Sequence, residues 1–233
     1  MISASDPDTN ATPNQTTIGS IMSRGGAVDM PPQGLRGSLL AVILHMKRMV
    51  MVLVAVLAGS ASAGRKAGVT MPDSITVAGE RLVLNGMGLR EATWLDIDVY
   101  VAGLYVQHPT SNPDALIHDD EIKTIVLQFV RDVGHDDIVK AWRDGFAANA
   151  TVPLAQLQPY IDQLDAWMPS FTDHDTLAFT YIPGQGVGVD VNGVRKGVIQ
   201  NADFARSLFA VWLGRKPPTK DLKRGLLGSH PSA

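Results

Sequence analysis

Apolar residues recur along this chain with two different periods, and the change of period marks out its elements. Ser74–Leu84 reads as two short strands around Ala78-Gly79-Glu80. Asn85-Gly86-Met87-Gly88 reads as a turn, after which extended structure resumes at Leu89. Asp96–Val106 begins by alternating and then becomes apolar at successive positions, as expected of a central strand covered on both faces. Ile122–Phe129 gives a further strand, ending at Arg131-Asp132. The spacing then becomes helical. Ile138, Trp142 and Phe146 follow the acidic first turn at His135-Asp136-Asp137, and Leu154, Leu157, Ile161, Leu164 and Met168 follow Pro153. Strands return at Thr176–Tyr181, Val187–Val191 and Val194–Ile199, joined by Pro183-Gly184-Gln185-Gly186 and by Asn192-Gly193, a type I′ hairpin signature. Asp203–Leu213 places Phe204, Leu208 and Trp212 on one helical face and stops at Gly214; a short helix runs from Pro217-Pro218 to Leu227. The layout is α+β, a mostly antiparallel sheet backed by helices.

The segment before these elements has a different character. Residues 1–38 are polar and rich in Gly, Pro, Ser, Thr and Asn, without a sustained period, and are expected to be disordered. Lys47-Arg48, the apolar run Met49–Leu57 and Ala61-Ser62-Ala63 then supply the three parts of a secretory signal peptide, cleaved after Ala63. A membrane anchor starting near Leu39 is the rival, but His45, Lys47 and Arg48 interrupt it and nine apolar residues are too few to span a bilayer. Met46 suits the start of such a peptide. The expected organisation is therefore 1–45 disordered or upstream of the true start, 46–63 signal peptide, and 64–233 a single domain exported to the periplasm, with no membrane span after processing.

Composition narrows the chemistry. Lys+Arg number 20 against 23 Asp+Glu, which argues against nucleic acid as a partner. The absence of cysteine excludes disulfides, thiolate metal sites and thiol nucleophiles. The glycine runs at 86–88 and 184–188 lead into strands rather than helices, so they read as turns and not as phosphate loops. His118-Asp119-Asp120 and His135-Asp136-Asp137 read as a loop and a helix start rather than metal ligands, and no Gly-x-Ser-x-Gly elbow occurs. No cofactor or metal is expected. One pair remains. If Leu89–Trp94 and Asp96–Val106 form a hairpin centred on Leu95, Arg90 and Tyr100 lie directly opposite on one face. A guanidinium beside a phenol offers several donors to a carboxylate or phenolate. On the residues alone, a surface arginine and a packed tyrosine are the simpler reading.

Asn85-Gly86-Met87-Gly88-Leu89-Arg90 and Val99-Tyr100-Val101-Ala102-Gly103-Leu104-Tyr105 resemble the opening strands of the chalcone isomerase-like family. Phe129–Val133, Ala141–Phe146, Tyr181–Gly186, Val191–Gly193 and Val211–Gly214 resemble its bacterial branch, so the resemblance covers roughly residues 76–228. It implies an open-faced β-sandwich with a ligand cleft between sheet and helices. Plant chalcone isomerases in the family hold the substrate oxyanion with an arginine, and Arg90 matches it. The position matching Tyr100 is threonine in those isomerases but tyrosine in the related plant fatty-acid-binding proteins, where arginine and tyrosine bind the lipid carboxylate. The isomerases also carry a catalytic tyrosine after the strand resembling Ile122–Phe129, whereas tyrosine stands here only at 100, 105, 160 and 181. Together with the signal peptide, which implies the periplasm, the resemblance implies a non-catalytic binder of a fatty acid or similar apolar carboxylate, with Arg90 and Tyr100 as ligand-binding residues. Two alternatives stand beside it: an isomerase or intramolecular lyase with Arg90 stabilising an oxyanion, and an envelope interaction protein whose cleft is filled by its own side chains. Arg131, at a strand end, is expected to matter for stability more than for ligand.

Overall fold

In the computed structural model, residues 64–92 and 97–228 are described, all within a compact unit spanning residues 51–233. The expected disordered and signal segments, and the expected hairpin turn at Trp94-Leu95-Asp96, lie outside the described residues.

A two-stranded ribbon, β1 (Gly64–Lys66) and β2 (Val69–Met71), precedes the main sheet. The sheet contains β3 (Ser74–Val77), β4 (Glu80–Ala92), β5 (Ile97–Val106), β6 (Lys123–Phe129), β7 (Thr176–Ile182), β8 (Gly186–Val191) and β9 (Val194–Ile199). Its strands lie side by side in sequence order, every pair antiparallel. Five helices complete the chain: α1 (Pro113–His118), α2 (His135–Asn149), α3 (Leu154–Trp167), α4 (Ala202–Leu213) and α5 (Lys220–Leu227). This is the α+β class that the pattern predicts and the open-faced architecture that the resemblance implies.

β5 is central and buried on both faces, as its apolar run requires. Tyr100, Ala102, Leu104 and Val106 join the large core beneath the helices, with Phe129, Phe179, Trp142 and Trp212. Val101 and Tyr105 point the other way, into a smaller core closed by Val69 and Met71 of the ribbon. At the β8–β9 turn, Asn192 and Gly193 both have positive φ, 51° and 74°, as a type I′ turn demands.

Two expectations need correction. Asn85-Gly86-Met87-Gly88 is not a turn: it lies inside the 13-residue strand β4, with a register shift against β5 between Leu84 and Gly86. The glycines answer to a neighbour instead. A Cβ on Gly86 would stand 2.2 Å from the Gly225 carbonyl oxygen, and one on Gly88 would stand 2.3 Å from that of Leu222. Backbone of α5 thus lies directly on the strand, and Asn85 fixes it there by donating to the Leu226 carbonyl at 2.8 Å. The second concerns His118, expected in a loop with Asp119-Asp120: it is the last residue of α1, and only Asp119 and Asp120 lie beyond the helix. Asn112 caps this helix by accepting from the Asp114 and Ala115 N–H groups, with Pro113 in the first turn.

Candidate ligand-binding cleft

Arg90 and Tyr100 are register partners across β4 and β5, as the hairpin arithmetic requires. A register shift follows between Arg90 and Glu91. By strand alternation both residues belong to the helix-facing side, and Tyr100 joins the core there.

The two side chains meet different surroundings. Arg90 is half-buried; its Nη1 donates to the Glu91 carbonyl, and it makes no ion pair among the described residues. Tyr100 is buried, and its hydroxyl oxygen accepts from the Trp212 Nε1–H at 3.1 Å. Its own proton meets no acceptor among the described residues. Burial pushes the phenol pKa up to about 12, against smaller opposing pulls from the Trp212 hydrogen bond and the Arg90 charge. At neutral pH the group is therefore a protonated, unspent donor. A donor whose oxygen already accepts a hydrogen bond is polarised into a stronger one.

Both residues line a cleft of about 650 Å³ between the sheet and α2, a size suited to a small ligand. Ala141, Gly145 and Ala148 recur along the α2 face that meets the cleft, and their small side chains leave the space open. Gly145 also lets α4 come close, since a Cβ there would stand 2.7 Å from Val211 Cγ1. Val99, Val133, Ile138 and Val211 add apolar wall. Trp142 lines the cleft as well, packed edge-on against Phe179 and Trp212 with ring centroids 5.7 and 5.5 Å away. Its buried Nε1 has no hydrogen-bond partner among the described residues. The charged lining consists of Arg90, Arg131, Lys140 and Lys216 with Asp132, Asp137 and Asp144.

Sequence reasoning passed over two residues here. Trp212 registered only as a member of an apolar helical face; its indole N–H, a donor that seeks a partner when buried, is the signal that points to a polar contact. Arg131 was assigned to stability. The structure instead leaves it exposed on the cleft wall just beyond β6, with no ion pair among the described residues. An exposed cation without a partner contributes little to folding.

A buried cation lies elsewhere. Lys123 donates to the Leu116 and Asp119 carbonyls, each at 2.7 Å, and so closes the C-terminal end of α1. Burial lowers its pKa to about 8, against the nearby Asp119, Glu121 and Asp120. The adjoining cavity, about 10 Å³, has room for about one water molecule, so this lysine serves the fold.

The sequence model of the family described as chalcone isomerase-like matches residues 63–228. No curated protein sequence matches the chain. Among solved structures, the chain is similar to the Arabidopsis thaliana fatty-acid binding protein AtFAP1, with 20% sequence identity, a TM-score of 0.61, and coverage of 71% of this chain and 96% of that one. The likeness is one of fold.

Proposed function

Because this chain belongs to the chalcone isomerase-like family, we propose that its cleft is a clamp for an apolar carboxylate, a fatty acid or close analogue, held without chemical change. One observation carries the reading: Arg90 and Tyr100 stand opposite each other at an apolar-walled cleft, each with donor capacity unspent. The guanidinium supplies charge and a planar fork, the phenol supplies a directed hydrogen bond, and the aliphatic wall covers the tail, worth about 0.8 kcal/mol per buried CH₂. The burial that raises the Tyr100 pKa keeps the phenol a hydrogen-bond donor and not a base. The similar plant protein, named for fatty-acid binding, supports the same reading through its fold.

Calorimetric titration with decanoate tests the clamp. Arg90 is half-buried, so Arg90→Ala is expected to lose a charge-assisted hydrogen bond of about 1.5–3 kcal/mol, weakening binding about 10- to 100-fold. Arg90→Lys should recover only part of this, since a point charge cannot reproduce the fork. Equal affinity of Arg90→Ala and the parent rejects the clamp.

The proposal includes export to the periplasm. Support comes from the three-part signal at residues 47–63 and from a family match that begins at residue 63. Peptide-mass analysis of exported protein should give Gly64 as the first residue; retention of Met49–Leu57 in membranes would reject it.

A further inference from the structure

A simple carboxylate needs one cation, yet this cleft presents two arginines at the same end of the sheet. β5 lies between β4 and β6, and Tyr100 pairs with Arg90 on one side and Phe129 on the other. These three residues form a row across the sheet. The Val130 N–H still bonds the Val99 carbonyl at 3.1 Å, which carries the pairing one residue past β6. Strand alternation then returns Arg131 to the face that holds Phe129, Tyr100 and Arg90. β4 and β6 are two strand spacings apart, about 10 Å, a gap that two arginine side chains can close on a common anion. Both line the cleft, and neither forms an ion pair among the described residues. The other charges there are differently placed. Lys140 is paired with Asp144, and Asp132 accepts the Asp173 backbone N–H at 3.2 Å. Asp137 and Lys216 complete a lining of four cations and three carboxylates.

We infer that the cleft accepts an amphiphile with a dianionic head of the phosphate-monoester class, and that Arg131 is its second cationic anchor. The inference rests on the proposed reading that Arg90 and Tyr100 hold an acidic head. A monoester presents three terminal oxygens and two negative charges. Arg90, Arg131 and the Tyr100 hydroxyl are three donors, two of them cationic, so the head can satisfy all three at once. A carboxylate offers only two oxygens to these three donors.

The test is calorimetric titration of the full chain with decyl phosphate and decanoate, at pH 8 and pH 5.5. Decyl phosphate is expected to bind about tenfold more tightly than decanoate at pH 8. That advantage should shrink at pH 5.5, because the second phosphate ionisation lies near pH 6. In Arg131→Ala and Arg131→Gln, the ratio of the two affinities at pH 8 should fall to about one. Equal affinities in the parent at pH 8, or a ratio unchanged by both variants, overturn the inference. Failure of the underlying clamp looks different: neither ligand binds, or Arg90→Ala leaves both affinities unaltered.

Discussion

Tyr100 and Tyr105 sit five positions apart on β5 and face opposite sides of the same sheet. Both are buried, and burial raises both phenol pKa values. The fate of the hydroxyl separates them. Tyr105 donates its proton to the Pro72 carbonyl at 3.0 Å, beneath the β1–β2 ribbon. Tyr100 receives a proton from Trp212 and keeps its own unspent, beside a cleft. One hydroxyl closes a structural contact; the other is still open to a ligand. Burial and a perturbed pKa are thus common to both residues, and only the direction of the hydrogen bond distinguishes a candidate site from a packed core.

Exchanging each tyrosine for phenylalanine should split the two roles. Tyr100→Phe is expected to weaken decanoate binding by about 1.5–3 kcal/mol, since it removes a hydrogen bond to a charged acceptor. It should also destabilise the fold by about 1–3 kcal/mol, because the Trp212 N–H loses its acceptor. Tyr105→Phe leaves the Pro72 carbonyl without its donor and should cost a similar amount of stability, with decanoate affinity unchanged. Calorimetry and chemical denaturation on the two variants read these effects. Equal loss of affinity in both would erase the distinction.

A smaller effect follows in alkali. A phenol with a folded pKa above its unfolded value near 10 contributes stability that is complete below pH 10 and is lost as pH rises towards the folded value, about 12 for Tyr100. Between pH 9.5 and pH 11 each buried tyrosine should therefore subtract about 1 kcal/mol from the parent's stability. Each phenylalanine variant should lose less over this interval than the parent does, by that amount. Lys123, whose lowered pKa has the opposite sign and adds stability as pH rises above about 8, is common to all three proteins and cancels in the comparison. Denaturant midpoints measured across the interval decide the point; parallel curves for parent and variants would contradict the burial argument.

The pairing of Arg90 with Tyr100 was legible because antiparallel register obeys simple arithmetic about the centre of a hairpin, although the shift after Arg90 takes Glu91–Asp98 and Ala92–Ile97 off that centre. The helices at 135–149 and 202–213 were legible for a similar reason, since each shows one continuous apolar face. What escaped was decided at long range. Gly86 and Gly88 look like turn residues locally, and only the arrival of α5 shows that they clear space for another backbone. Trp212 lies 112 positions from Tyr100, and nothing local says which way its indole N–H points. The short elements β1, β2 and α1 span three, three and six residues, too few for a period to declare itself. The place of Arg131 on the cleft wall was not legible from its position at a strand end; it stands there because the pairing of β6 runs on past Phe129.

The seating of α5 on β4 also bears on the order in which the molecule can be completed. Asn85 and Leu226 are joined across 141 positions, almost the full span between the strand that bears Arg90 and the end of the described chain. Closing so long a loop costs entropy that nearer contacts do not. Until residues 222–226 have been synthesised and docked, Gly86 and Gly88 face a gap where helix backbone belongs. During synthesis, therefore, the strand that carries the arginine is among the first made and among the last to be finished.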